Sequence, residues 1–549
     1  FFFAMIEHIV LILLRGLLLL RHYGLMVLDT LINPISYVKN YGVKYISKAG
    51  ARRHTRRLRK TIATTEDYQT WVITAKRLDS EFGYSEWSEV ASRFFDGEEV
   101  KSRLADLEKL LMQQDPHAMV FHLRLGLNRN LSGMSHEALF PYYCGTKKVL
   151  EQYVMKVVDT IEFVYQSQSL TLQDRASFFH DTLQSYGRTA LILSGGSALG
   201  LYHLGVLKAL RDADMLPTVI CGSNLGAAIA ALVCTRQDGE VKRLFELHGV
   251  DMDMYEKVKR DRSAITARLT SFFHTGDLVQ LEHLQEFLYQ DFQDMTFKEA
   301  FAVSRRVLNI TIWNVECAPL VLNYMTAPNV VIWSAACAST ANEGNGVQLM
   351  AKPANADGPL QPWHMRWRGR SKNTNLNVIA DTPTNELSKA FNINFYIVSQ
   401  VKAYVVPFLK LRPRRNSIYE RRSTLGNILM ASLIFFLDEV RHLILQAYRW
   451  GIVSSPSRVR NMLSQQYVGD ITILPASSLE DFVAVLHPPS KEHTEQCIVH
   501  GCRRAWPHMT SVRYHCMLER RLEKCLADLK VAMQISEQAI QTPATEAPP

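Results

Sequence analysis

The stretch VICGSNLGAAIAALV (219–233) decides the fold. A β-branched, apolar run ends at a glycine, a few small residues follow, and an Ala/Ile/Leu pattern with helical spacing then begins. This order predicts a buried strand, a tight turn and a helix, which is the setting in which a G-x-S-x-G motif presents a nucleophilic serine. Here the frame from Gly222 to Gly226 has Asn224 at its centre, and Ser223 stands one place earlier.

A second stretch, RTALILSGGSALGLYHLGVLKALRDADML (188–216), repeats the same plan. It contains a short apolar run, a glycine turn and an amphipathic helical pattern. Two successive units of this kind are typical of a mainly parallel sheet covered by helices. Further strands are expected at 305–314 and 393–401. The predicted fold class is therefore α/β.

Composition and cysteine usage limit the class of protein. The chain has 549 residues, of which 47% are hydrophobic and 21% charged, as in a folded globular protein of roughly two to four structural units. Its nine cysteines are scattered, and several lie in apolar contexts, which indicates buried reduced thiols rather than a disulfide framework. The Cys497, His500, Cys502 and His508 group matches no common zinc spacing, so neither a metal nor a cofactor is expected.

The formal net charge is +9, with basic clusters at ARRHTRRLRK (51–60) and LRPRRNSIYERR (411–422). No aromatic-interleaved RNA motif or zinc finger accompanies them, so nucleic acid is not an expected partner. The first cluster follows an apolar stretch, which favours contact with anionic lipid headgroups through Arg52, Arg53, Arg56 and Arg57. A solvated helix face explains the second cluster equally well.

The first residues, FFFAMIEHIVLILLRGLLLLRHYGLMVLDTLINPISYV (1–38), are apolar but interrupted by charged side chains. They lack a clean run of about 18 apolar residues, so an interfacial or hairpin-like membrane helix is favoured over a tilted span. The stretch 425–453 is apolar around most of a helix and is expected to be buried or membrane-facing. A first residue other than Met suggests a removed presequence. The favoured location is therefore the mitochondrial inner membrane, with the endoplasmic reticulum or a lipid droplet as the alternative.

The region from about residue 56 to 187 has helical patterns. In TTEDYQTWVITAKRLDSEFG (64–83), Thr65 is the expected N-cap, and Trp71, Ala75 and Leu78 share one face. Further helices are expected at 100–114, 117–127 and 144–166. The predicted organisation is a membrane-associating segment (1–48), a helical domain (49–185), an α/β domain (186–401), a C-terminal helical region (402–534) and a disordered tail (535–549).

The pair GGSALG (195–200) and GSNLG (222–226) resembles the oxyanion loop and nucleophile elbow of the patatin fold. More specifically, the chain resembles the plant and fungal triacylglycerol lipases of the patatin-like family, the group of the sugar-dependent oil-body lipases. The resemblance covers roughly residues 45 to 530 and includes LNRNLSGMSHEALFPYYCGTKKVLEQYV (127–154), FNINFYIVSQ (391–400) and QQYVGDITILP (465–475). It implies a patatin-like α/β domain with helical regions before and after it.

The resemblance also implies a Ser–Asp dyad, with glycine-loop amides that hold the oxyanion. The loop carries over as Gly195, Gly196, Ser197, Ala198, Leu199 and Gly200, although the same glycines also suit a plain strand-to-helix turn. The family's serine position is Asn224, and Leu225 replaces a small residue beside it. Counting back from FNINFYIVSQ places the aspartate position at Asn375, followed by Leu376.

Neither asparagine can serve in a Ser–Asp dyad. We therefore expect a catalytically inactive homologue that acts as a structural, lipid-binding or accessory subunit of a membrane assembly, with membrane lipids and other protein subunits as partners. The alternative is an acyl hydrolase with a rearranged site. Ser223 would then be the nucleophile and Asp357, from the Asp357–Gly358 pair, the base.

Overall fold

The computed structural model describes residues 48–195, 198–246, 281–312, 320–340, 347–353, 358–363, 383–401, 468–475 and 491–541, with single positions between 432 and 446. Its centre is a six-stranded sheet. In chain order the strands are β1 (Arg188–Ser194), β2 (Val219–Ser223), β3 (Val307–Ile312), β4 (Leu320–Leu322), β7 (Ile393–Gln400) and β8 (Ile471–Ile473). A separate antiparallel ribbon consists of β5 (Met350–Ala351) and β6 (Gln361–Pro362).

The strand order of the sheet is β4-β3-β2-β1-β7-β8, and every neighbouring pair is parallel except β3 and β4. Strands β2 and β3 are buried along their whole length, as near-continuous apolar runs in a covered parallel sheet should be. The expected α/β class and mainly parallel sheet are confirmed. The strands predicted at 305–314 and 393–401 are β3 and β7. β3 begins two residues later than expected, residues 313–314 lie outside the described part of the chain, and β7 ends one residue early.

Helices surround this sheet. Those before it are α1 (Lys48–Thr64), α2 (Tyr68–Glu81), α3 (Tyr84–Glu89), α4 (Gly97–Gln113), α5 (Pro116–Gly126), α6 (Lys148–Gln166) and α7 (Leu172–Tyr186). Those between the strands are α8 (Tyr202–Asp212), α9 (Leu225–Cys234), α10 (Asp238–Glu246), α11 (Leu281–Phe292), α12 (Phe297–Ser304), α13 (Ile332–Thr340) and α14 (Pro383–Phe391). The last two described are α15 (Lys491–Ala505) and α16 (Met509–Gln541).

Helix α2 shows one expectation met and one not. Trp71, Ala75 and Leu78 are all buried, as their shared face predicted. The N-cap, however, is Asp67, whose carboxylate accepts a hydrogen bond from the Thr70 N–H at 2.7 Å. Thr65 instead lies at the end of α1, where its N–H and its hydroxyl both donate to the Thr61 carbonyl.

The region after residue 401 was predicted to be helical. It also contains a strand, because β8 adds to the edge of the sheet. β8 pairs in parallel with β7, with Ile397 opposite Ile471, and the Asp470 carboxylate accepts a hydrogen bond from the Tyr396 N–H at 2.7 Å. Most of the apolar stretch 425–453 lies outside the described residues, as do residues 1–47 and 542–549. None of the described helices combines the length and the apolar character needed to cross a bilayer.

Two large apolar clusters position the site. In the first, α9, buried at all ten positions, packs among side chains of β1, β2, α8 and α13. In the second, α16 shares a core with the helices from α4 to α7, with Leu518 and Leu522 in the same cluster as Val157 and Ile161. Met509, Val512 and Cys516 of α16 belong to the first cluster, so the C-terminal helix joins the N-terminal helices to the sheet.

Candidate functional site

The turn between β2 and α9 carries Asn224 at its tip. The backbone of Asn224 has φ 53° and ψ −131°, a conformation that costs a residue other than glycine about 1–3 kcal/mol. The side chain is exposed and makes no capping hydrogen bond to α9. The strained strand–turn–helix therefore presents a carboxamide where the G-x-S-x-G frame presents a hydroxyl.

Two glycines allow this turn to close. An ideal Cβ on Gly222 would lie 2.3 Å from the Gly226 carbonyl oxygen, and one on Gly226 would lie 2.4 Å from the Leu193 carbonyl oxygen. No side chain fits at either distance, so the helix can approach the strands only through glycine. Gly222 and Gly226 are therefore required by the close packing of α9 against the strands.

Ser223, the alternative nucleophile, is buried rather than exposed. Its side chain Oγ accepts a hydrogen bond from the Gly195 N–H at 3.2 Å, and only 6% of the residue is accessible to solvent. The hydroxyl therefore supports the first residue of the glycine loop. Its burial and this contact argue against nucleophilic attack from position 223.

Ser339 is a site residue that the sequence did not single out. Its hydroxyl, at the end of α13, accepts a hydrogen bond from the Asn224 N–H at 3.0 Å and donates one to the Thr311 carbonyl in β3 at 2.7 Å. It thereby ties the strained turn to the neighbouring strand. The run WSAACAS (333–339) contained it, but its spacing gave no sign of a contact with a residue 115 positions away.

The Leu225 side chain lies between the glycine loop and the elbow, next to Gly200. Gly195 has a positive φ of 69°, and residues Ala198–Leu201 form a 3₁₀ turn that leads into α8. An ideal Cβ on Gly200 would lie 2.7 Å from the Leu225 side chain, which is itself buried. Leu225 therefore fills the space beside Gly200. Gly196 and Ser197 lie outside the described residues.

A buried histidine, which its sequence context did not single out, lies behind this loop. His203 of α8 has no solvent exposure, and its Nδ1 lies 2.8 Å from the Ser399 hydroxyl in β7. Burial lowers the pKa of His203 to about 3, so the imidazole is neutral at physiological pH. The only available signal was a histidine within an otherwise apolar helical pattern.

The remaining predicted residues are only partly described. Asn375 and Asp357 lie outside the described residues, so the vestigial aspartate position and the alternative base both stay predictions. Arg56 and Arg57 are exposed on α1, whereas the side chains of Arg52 and Arg53 are not described. Within the described part of the chain, no group of three or more His, Cys, Asp and Glu side chains could hold a metal ion.

The chain is similar in sequence to two family models and to several known proteins. Residues 191–342 match the family model of patatin-like phospholipases, and residues 48–184 match a domain of unknown function, DUF3336. The chain is 31% identical to triacylglycerol lipase ptl2 of Schizosaccharomyces pombe, over 86% of this chain and 76% of that protein. It is 30% identical to triacylglycerol lipase 4 of Saccharomyces cerevisiae, over 87% of this chain and 53% of that protein.

A plant relative is also named a triacylglycerol lipase. Triacylglycerol lipase SDP1L of Arabidopsis thaliana is 28% identical over 93% of this chain and 63% of its own length. The chain spans only about half to two thirds of the full length of several curated relatives that it matches. The crystal structure of the type III effector protein ExoU aligns with a TM-score of 0.27 and 12% identity over 64% of this chain and 63% of that one, a likeness too weak to add to the argument. The sequence relatives suffice: the chain belongs to the patatin-like triacylglycerol lipase family.

Proposed function

We propose that this chain binds acyl lipids at the patatin elbow without cleaving them through a serine. The observation that carries the proposal is Asn224, exposed at the strained tip of the elbow where the family places its nucleophile. A carboxamide has no ionisable proton near neutral pH and cannot start acyl transfer. Loss of the serine from a hydrolase lowers turnover on the order of 10⁶-fold.

The residues that remain can still hold a lipid ester. Gly195 and Gly200 of the glycine loop lie next to Ser223 and Leu225 at the N-terminus of α9. The N-terminus of a helix, where backbone N–H groups lack intrahelical partners, favours a carbonyl or carboxylate oxygen. The exposed Asn224 carboxamide adds a neutral hydrogen-bond donor beside them. The ligand class follows from the relatives, which are named triacylglycerol lipases, and from the family model, which is named for phospholipases.

Acyl-ester hydrolysis is the second candidate, and the relatives favour it. Their names support a lipase more than an inactive structural subunit. For hydrolysis by this chain, the Ser223 hydroxyl would have to leave its contact with Gly195 and find a base. Asp357 is the residue that we predict for that role.

The test compares labelling and turnover with lipid binding in the purified full chain. We expect no stoichiometric labelling by a fluorophosphonate probe and no hydrolysis of a fluorogenic acyl ester above that of Ser223→Ala, while a fluorescent, non-hydrolysable triacylglycerol analogue still binds. Labelling at Ser223, with turnover that Ser223→Ala abolishes, would establish the hydrolase instead. Absence of both labelling and analogue binding would contradict the lipid-binding role.

An accessory role in a membrane assembly is a further part of the proposal, and it rests on the sequence. The apolar stretches 1–38 and 425–453 motivate it, together with the favoured mitochondrial inner membrane. Native gel analysis after mild detergent extraction tests it. Migration as a monomer or small homo-oligomer, with no protein co-purifying, would contradict it.

A further inference from the structure

His203 links the first turn of α8 to strand β7. The residue has no solvent exposure, and its Nδ1 lies 2.8 Å from the Ser399 hydroxyl. Ser399 is the β7 neighbour of Leu193 in the register of the sheet, and Leu193 stands two residues before the first glycine of the loop. The pair therefore ties the end of the loop, where α8 starts, to the strand beside the beginning of the loop.

The imidazole has one hydrogen-bonding atom that this contact does not use. His203 Nε2 is buried and has no hydrogen-bond partner among the described residues. A neutral imidazole has one N–H and one acceptor nitrogen, so whichever role Nδ1 takes toward Ser399, Nε2 keeps the other. Burial lowers the pKa of His203, and the Gly195 backbone, which is near the ring, opposes that shift. Because buried polar atoms are rarely left unused, the ring indicates a role toward the loop as well as toward β7.

Helix α8 is held against β7 from its other side by α15. Gly205 follows His203 by two residues and therefore lies about half a turn away on the helix. An ideal Cβ on Gly205 would clash with the Ile498 carbonyl oxygen, and one on Gly501 would clash with the Tyr202 carbonyl oxygen. The two helices thus meet at backbone distance, so α8 has little freedom to move the imidazole away from β7.

The glycine loop is consequently held at both ends by buried side chains. At its start, the Ser223 hydroxyl accepts the Gly195 N–H at 3.2 Å. At its end, His203 and Ser399 join α8 to β7. The first contact belongs to the elbow itself, whereas the second lies behind the loop and out of reach of any ligand, because His203 has no solvent exposure.

We infer that His203 is a positioning residue for the glycine loop: through Ser399 it sets where the loop meets the oxygen of a bound acyl ester. The inference rests on the proposed function, since it names what orients the loop at that same lipid site. Backbone donors in such a loop bind an oxygen only at hydrogen-bond distance, and a small displacement of α8 therefore weakens the interaction.

The test substitution is His203→Leu, which keeps a side chain of similar volume and removes both ring nitrogens. We expect the full chain to bind the fluorescent, non-hydrolysable triacylglycerol analogue roughly five- to tenfold more weakly, the effect of one lost hydrogen bond. His203→Asn keeps a hydrogen-bonding amide near the position of Nδ1 and should recover most of the affinity. Ser399→Ala should weaken binding to a similar extent, and the double variant should bind no more weakly than His203→Leu alone.

His515→Leu is the matched control. His515 is also buried, and burial lowers its pKa as it does that of His203, but it lies on α16 against Phe395 near the start of β7, with ring centroids 4.4 Å apart. We expect this variant to lose stability and to keep the wild-type affinity for the analogue. An equal loss of affinity in the control, or wild-type affinity in both His203→Leu and Ser399→Ala, would overturn the inference.

A measurement without ligand separates this inference from the proposed function. Amide hydrogen exchange in the segment 195–201, measured where the chain stays folded, should be faster in His203→Leu than in the wild type and unchanged in His515→Leu. If the wild-type chain binds no analogue, the lipid-binding role fails, and the exchange rates alone decide the role of His203. Equal exchange in the wild type and His203→Leu would then overturn it.

Discussion

The guanidinium of Arg129 donates a hydrogen bond to the carboxylate of Glu519 at 2.8 Å, and the two side chains are only 5% and 3% exposed. Arg129 follows α5, whereas Glu519 lies on α16. The other carboxylate oxygen of Glu519 accepts the Thr189 N–H of β1 at 2.7 Å, and Arg129 also donates to the Gly187 carbonyl at 3.1 Å. One buried ion pair therefore joins the N-terminal helices, the first strand and the C-terminal helix.

Removing one partner of this pair should be costly. Arg129→Met leaves the Glu519 carboxylate buried without its cation, and such losses typically destabilise a protein by about 3–5 kcal/mol. We expect a correspondingly lower midpoint of urea unfolding at neutral pH. The control is Lys101→Met, which removes an exposed ion pair with Glu98 and should cost less than about 1 kcal/mol. Equal effects of the two substitutions would contradict the structural role of Arg129.

Glu523, one turn after Glu519, should make stability depend on pH. Burial and the neighbouring Glu519 carboxylate raise the pKa of Glu523 to about 7, while Thr218 donates a hydrogen bond to it at 3.0 Å. The folded state therefore holds a proton that the unfolded chain releases near its ordinary carboxyl pKa. Stability from this group is present at acidic pH and is lost as pH rises toward 7.

Glu523→Gln tests this relationship. Glutamine keeps an acceptor for the Thr218 hydroxyl and has no charge to bury. We expect the variant to be more stable than the wild type at pH 8, by about 3 kcal/mol, and to lose most of this advantage toward pH 5. Thermal unfolding across this pH range measures the difference. A constant difference between wild type and variant would show that Glu523 does not titrate in this window.

The sequence predicted those parts of the fold that rest on local spacing. The glycine turn, the small residues and the apolar helix of 219–233 all lie within one short stretch, so the elbow with Asn224 at its tip could be predicted. Contacts between distant segments could not. Arg129 and Glu519 are 390 positions apart, and nothing in either neighbourhood indicates the other. The three-residue strand β8 was missed because so short a run shows no periodicity.

Ser339 should contribute to the rigidity of the elbow. Ser339→Ala removes the acceptor for the part-buried Asn224 N–H and the donor to the buried Thr311 carbonyl. We expect a loss of about 1–3 kcal/mol in the free energy of unfolding, because an unsatisfied buried polar group carries a cost of that size. Ser185→Ala removes a single hydrogen bond to the Thr182 carbonyl on α7 and should change stability much less. Chemical unfolding of both variants decides the point, and a neutral Ser339→Ala would rule out this role.

Gly226 should not tolerate even one added methyl group. In Gly226→Ala the new Cβ would lie 2.4 Å from the Leu193 carbonyl oxygen, so α9 would have to move away from β1. We expect destabilisation of about 3 kcal/mol. Gly239→Ala provides the contrast, since a Cβ there meets nothing within 4 Å, and alanine should stabilise α10 by up to about 1 kcal/mol. Unfolding midpoints that move in the same direction for both variants would contradict the close approach at the elbow.

Restoring the serine alone should not create a hydrolase. Asn224→Ser places a hydroxyl at the tip of the elbow, but the residue at the predicted aspartate position is Asn375, and Leu225 still fills the space beside Gly200. Without a base the hydroxyl stays protonated and is a weak nucleophile. We expect turnover of a fluorogenic acyl ester to stay at the background rate for Asn224→Ser and to rise only when Asn375→Asp and Leu225→Ala are added. Substantial turnover by Asn224→Ser alone would show that another carboxylate, such as Asp357, serves as the base.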